Sequence, residues 1–106
     1  MPPPTDDRPE LLTVIAHMKA ATGKEDELRT ALQALVQPTT REQGYVNYDL
    51  HESVTEPGVF YFYENWESGS DLDSHLSSPH LEDFKVQLPA LLDPSGLTVT
   101  RLRRLA

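Results

Sequence analysis

The segment VFYFYENWE, residues 59–67, constrains this chain most. It is strongly β-prone. Its aromatic side chains fall on both alternating faces of a strand, with Phe60, Phe62 and Trp66 on one parity and Tyr61 and Tyr63 on the other. Such a strand needs cover on both sides. Glu64 shares the parity of Phe62 and Trp66, so an ionisable group lies among aromatic rings.

The rest of the chain supplies partners for that strand. LLTVIAHMKA, residues 11–20, is a β-branched run bounded by Pro9 and by Thr22-Gly23. Its apolar residues occupy both parities, which predicts cover on both faces. In GKEDELRTALQALVQ, residues Leu28, Ala31, Leu32, Leu35 and Val36 recur at helical spacing. The acids Glu25, Asp26 and Glu27 sit in the first turn, where the helix dipole favours them. Pro38 is expected to disrupt that helix near its end, with a terminal turn reaching as far as Gln43. GYVNYDLHES, residues 44–53, alternates, with Val46, Tyr48 and Leu50 on one side and Tyr45, Asn47, Asp49 and His51 on the other. TEPG, residues 55–58, turns it into the aromatic strand as a hairpin.

Two helical pieces follow, the first capped by Ser70 and the second by Ser78 with Pro79 in its first turn. The second carries Leu81, Phe84, Leu88, Leu91 and Leu92 on one side and is interrupted by Pro89. Gly96 opens a last strand, LTVTRLRRL. The order β-α-β-β-α-β predicts an α+β, ferredoxin-like fold, a four-stranded antiparallel sheet with helices on one face. The other face would then be an exposed apolar patch. Packing two such sheets face to face in a homodimer covers it and closes a barrel, with the parity of Glu64 and Trp66 facing the cavity.

Composition narrows the functions. The chain has 106 residues, enough for one domain, over residues 10–106, after a disordered or extended proline-rich arm, residues 1–9. A net charge of −8 argues against binding nucleic acid, and the cluster Arg101, Arg103 and Arg104 is too small to reverse it. Without cysteine there are no disulfides, thiolate nucleophiles or Cys-zinc sites. No apolar run is long enough for a membrane span, and no leader pattern appears, so a cytoplasmic location is expected.

VIAHMKAATGKEDEL (14–28), GYVNYDLHES (44–53) and YENWESGSDLDSHLSSPHLEDF (63–84) resemble the antibiotic biosynthesis monooxygenase (ABM) family, in particular its quinol monooxygenases. The most specific piece is E-x-W-E-S followed by D-x-H-L-x-S-P-H. The resemblance implies a dimeric α+β barrel, cofactor-free oxygenation of electron-rich aromatic substrates, and one pocket per subunit between sheet and helices. It also implies that Trp66 and Phe62 line the pocket. Anthrone-type relatives can have an asparagine at the position of Phe62, and its absence argues against an anthrone-type substrate. Haem degradation is disfavoured, because Lys85 and Ala16 stand where haem-degrading relatives carry a histidine and an asparagine.

The candidate catalytic residues are His75, His51 and Glu64. Burial among aromatics should raise the Glu64 pKa and suit it to proton exchange. His75 lies in the short helix after Trp66, and His51 and Asn47 lie on the polar parity of the second strand. The candidate substrate-binding residues are Trp66, Phe62, Asn47, Val14, Ala16 and Met18. Against these stand plainer roles: Trp66 as sheet packing, Glu64 as an ion-paired carboxylate, His51 and Asn47 on a solvated face, and His80 and His17 as structural. No metal site is expected, since His75 and His80 are five apart with a proline between them. No Gly-rich cofactor motif is present, so O₂ would be activated by a small aromatic substrate itself. The alternatives are a non-catalytic ligand-binding module and an isomerase or decarboxylase.

Overall fold

The computed structural model describes residues 10–106, so the expected N-terminal arm lies outside the described residues. The elements run β1 (Leu12–Ala20), α1 (Glu25–Thr39), β2 (Tyr45–Glu52), β3 (Val59–Trp66), α2 (Gly69–Leu76), α3 (Pro79–Leu91) and β4 (Leu92–Arg103). The four strands form one antiparallel sheet in the order β2-β3-β1-β4. This is the ferredoxin-like arrangement.

Register decides what each face carries. Across β1 and β3, Val14 pairs with Glu64, Ala16 with Phe62 and Met18 with Phe60. Across β1 and β4, Ala16 pairs with Val99 and Met18 with Leu97. This face packs on Leu28, Leu32 and Leu35 of α1, Leu72 of α2, and Leu81, Phe84 and Leu91 of α3. Each fully buried leucine there contributes roughly 1.5–3 kcal/mol. The parity of Phe62, Glu64 and Trp66 therefore faces the helices of its own chain and not a second sheet, which corrects the expectation that it would face a dimer cavity. The helices take the more apolar parity. The opposite face keeps Tyr61, Tyr63, His17 and Ile15, half-buried or exposed, so β1 is covered on one face only within the chain.

A β-bulge breaks the expected alternation of β2. Tyr45 pairs with Trp66, Asn47 with Asn65 and Tyr48 with Glu64, leaving Val46 without a partner. Tyr45 consequently joins Tyr48 on the helix-covered face, while Asn47, Asp49 and His51 stay opposite Tyr48 and Leu50 as alternation predicts.

The helix ends also depart from the local pattern. α1 continues through Pro38 to Thr39, whose buried hydroxyl donates to Leu35 O at 2.7 Å. Hydrogen bonds from Thr40, Arg41 and Glu42 N to carbonyls of the last turn then carry the chain to Glu42. Gly44 follows with φ +80°, and a side chain there would collide with Asp71. α2 is capped by Ser68 rather than Ser70: its Oγ accepts from Asp71 N at 3.2 Å and donates to Asp71 Oδ2 at 2.8 Å. α3 starts with Ser78 as its cap and Pro79 in its first turn, and Pro89 is held inside it. β4 begins at Leu92, before Gly96. Its register jumps from Ala20↔Leu92 to Met18↔Leu97, and the extra residues fold tightly enough that a Cβ on Gly96 would strike the Asp93 and Lys19 carbonyls.

Candidate functional site

A cavity of about 110 Å³ opens between the helix-covered sheet face and α2 and α3. Val14, Ala16 and Met18 form part of its floor, as expected, and Phe62 and Tyr48 form a wall. Leu72, Leu76, Leu81, Phe84 and Leu88 close it from the helices. At the side formed by β4, Leu97 (48% exposed) and Val99 (47%) border the cavity and solvent alike. Lys85 also reaches the lining, with its Nζ donating to Leu76 O and to Glu82.

Besides Lys85, three polar side chains break this apolar lining: Glu64, His75 and Tyr48. Glu64 is 4% exposed, and its Oε1 accepts the indole N–H of Trp66 at 2.9 Å. Burial raises its pKa to about 7, against the opposing effect of that hydrogen bond. The Tyr48 ring stacks on Phe62 with centroids 4.2 Å apart. Burial, then the charges of Glu64 and Glu42, push its phenol well above the ordinary range, so it remains a donor.

His75 is 2% exposed and held by rings on two sides, Trp66 at 4.7 Å and Tyr48 at 5.0 Å between centroids. Its Nδ1 lies 2.8 Å from Glu42 Oε2. Burial depresses its pKa, partly opposed by Glu42, which favours the neutral ring. An ionised carboxylate only accepts, so the neutral ring carries its hydrogen on Nδ1 and a lone pair on Nε2. Nε2 makes no hydrogen bond to a described residue, yet no buried side-chain nitrogen or oxygen among the described residues lacks a partner. Nε2 therefore keeps access to open space, and His75 borders the cavity.

Other candidates fall elsewhere. Asn47 and His51 lie on the opposite sheet face, separated from the cavity by the sheet, because they pair with Asn65 and Tyr61, which alternate with the cavity-side Glu64 and Phe62. Asn47 is buried there, donating to Tyr63 O at 3.1 Å and accepting from Asn65 at 2.9 Å. His51 is exposed beside the Asp49 carbonyl, and His17 packs on Tyr61 on the same face. Trp66 is fully buried but does not line the cavity; it braces His75 and Glu64 from behind. His80 is drawn to the same Glu42 oxygen as His75, at 2.7 Å. The proline between the histidines does not separate them: Pro79 starts a new helix whose first turn folds His80 back beside His75. Glu42, the partner of both histidines, is the residue of this cluster that the sequence did not reveal. Its partners are 33 and 38 residues away, and no local pattern marks it.

The fold is a ferredoxin-like α+β domain with an enclosed apolar cavity bordered by Glu64, His75 and Tyr48. The chain belongs to the antibiotic biosynthesis monooxygenase family, whose family model matches residues 11–87. It is 35% identical over 89 residues to Rv0793 of Mycobacterium tuberculosis, 83% of this chain and 87% of that protein, whose monooxygenase name is itself provisional. It is 30% identical over 81 residues, 76% of this chain, to the uncharacterized sll1783 of Synechocystis, and spans 55% of that protein's length. The crystal structure of PA3566 from Pseudomonas aeruginosa superposes with a TM-score of 0.86 at 35% identity, covering 92% of this chain and 96% of that one. Among the described residues no helix is long and apolar enough to cross a membrane.

Proposed function

We propose that this protein is a cofactor-independent monooxygenase that oxidises a small electron-rich phenol or hydroquinone with O₂. The observation that carries this reading is the convergence of His75, Glu64 and Tyr48 on one apolar cavity. His75 Nε2 accepts the phenolic proton, and Glu42 on Nδ1 holds the ring in the tautomer that can do so. Tyr48 donates to the developing oxyanion. The phenolate passes one electron to O₂, and the radical pair combines into a carbon-bound peroxide. Loss of water leaves a quinone carbonyl, so that a phenol plus O₂ gives a quinone plus water. Glu64, titrating near neutrality, supplies a proton to the departing water. The apolar lining admits O₂ and limits side reactions with solvent.

The functional unit in this reading is a homodimer joined through the helix-free sheet face. Support comes from the incompletely covered Ile15, His17 and Tyr61 on that face.

Oxygen uptake by chelator-treated protein with a series of hydroquinones tests the reaction. Substrate-dependent uptake with quinone formation supports it. Saturable binding without uptake would instead make the protein a ligand-binding module.

A further inference from the structure

Behind the His75 imidazole, away from the cavity, three metal-ligating side chains meet. Glu42, from the turn after α1, His75, from α2, and His80, from the first turn of α3, hold ligand atoms within 4.8 Å of one another. Glu42 Oε2 lies 2.8 Å from His75 Nδ1 and 2.7 Å from His80 Nε2. Neither Glu42 nor His80 lines the cavity.

The hydrogens around His80 Nε2 do not match the lone pairs. Ser78 Oγ lies 3.2 Å from Nε2 and Thr39 Oγ1 lies 3.3 Å from it, besides the Glu42 oxygen. Both hydroxyls have given their hydrogens away, Ser78 to His75 O and Thr39 to Leu35 O, each at 2.7 Å. One N–H thus faces three acceptors. A surplus of lone pairs in a partly enclosed spot is an environment that a cation satisfies. Two imidazole nitrogens and one carboxylate are a recurring donor set for first-row divalent ions, with further positions left to water or a hydroxyl.

We propose that Glu42, His75 and His80 form a binding site for a divalent first-row transition-metal ion. Ligand distances near 2.0–2.1 Å require the carboxylate to draw back slightly from the two nitrogens. Glu42 and His80 are 15% and 20% exposed at their side chains, which gives them that freedom and gives the ion a route from solvent.

Occupancy has a consequence for the cavity. A neutral imidazole that binds metal through Nδ1 carries its hydrogen on Nε2. The free Nε2 then turns from acceptor into donor. This consequence rests on the functional reading given above, in which Nε2 is the proton acceptor; the metal would inhibit. The binding itself does not rest on it.

The test uses untagged, chelator-stripped full-length protein titrated with Co²⁺, followed by calorimetry and visible ligand-field absorption. One equivalent per chain is expected, displaced by Zn²⁺. Glu42→Gln and His80→Gln should each weaken Co²⁺ binding at least about tenfold with the circular dichroism spectrum unchanged. No saturable Co²⁺ signal, or unchanged affinity in both folded variants, would overturn the site. In a parallel arm, Zn²⁺ should suppress oxygen uptake with a one-ring hydroquinone, and chelator should restore it. Co²⁺ and Zn²⁺ binding with uptake undiminished would leave the site standing and overturn the role of His75 as proton acceptor.

Discussion

The indole N–H of Trp66 donates to Glu64 Oε1 across 2.9 Å, and both side chains are sealed beneath the helices. The hydrogen bond steadies the carboxylate but does not offset its desolvation, so the Glu64 pKa stands at about 7 against an ordinary 4.5. A carboxyl group whose folded pKa is raised contributes stability below the unfolded value and loses it as pH rises through the folded one. Stability should therefore fall between about pH 4.5 and pH 7 by on the order of 3 kcal/mol from this group alone. Glu64→Gln keeps an acceptor for Trp66 and has nothing to ionise. Urea denaturation across that pH range should show the slope in the parent and a flatter profile in the variant.

Glu52 behaves in the opposite sense. Arg29 on α1 grips both its oxygens, Nε to Oε1 at 2.9 Å and NH2 to Oε2 at 2.8 Å, and Gly58 N adds a third bond. The Arg29 hydrogen bond first, then that of Gly58, holds the Glu52 pKa down to about 2. Its contribution is present above the unfolded value near 4.5 and is lost as pH falls toward 2. Glu52 should titrate near 2 by carbon-detected NMR in the folded protein, and Arg29→Met should return it toward 4.5. A Glu52 titration near 4.5 in the parent would contradict the pairing.

Cavity size should set substrate choice. An apolar cavity of roughly 150 Å³ accommodates benzene, and the space here is about 110 Å³. One-ring hydroquinones should turn over with higher kcat/KM than two-ring ones, and three-ring anthrones should not turn over. Leu97→Ala, at the border with solvent, should narrow the gap between one-ring and two-ring substrates. Competition between substrates of different ring number measures this directly.

The helix-free face should join two chains. Light scattering coupled to size exclusion should give about twice the 11.9 kDa chain mass. Tyr61→Glu, on an exposed part of that face, should shift the protein toward monomer without loss of helical signal.

Much of the fold was legible because its signals are periodic. The helical stripe of α1, the β-branched run of β1 and the turn before β3 each read locally and lead to βαββαβ. Val14, Ala16 and Met18, three apolar residues of one parity, could be picked out in β1 before their place at the cavity was visible. What escaped lies where a single residue changes the count or where partners are remote. Val46 carries no glycine or proline to announce a bulge, yet it turns Tyr45 onto the helix-covered face beside Tyr48. Pro79 reads as a spacer between histidines, but as the first residue of α3 it turns the chain so that they converge. Glu42 joins them only through tertiary packing of the turn after α1 against α2 and α3.

In the proposed reaction His75 Nε2 takes a proton from substrate in the cavity. Oxygen uptake by metal-free protein with a one-ring hydroquinone, compared between the parent and a folded His75→Gln variant, tests it most directly. A general base contributes about 10²–10⁴-fold, so kcat should fall by about 100-fold or more while melting behaviour changes little by comparison. A His75→Gln variant that consumes oxygen at the parent rate would rule out His75 as the proton acceptor.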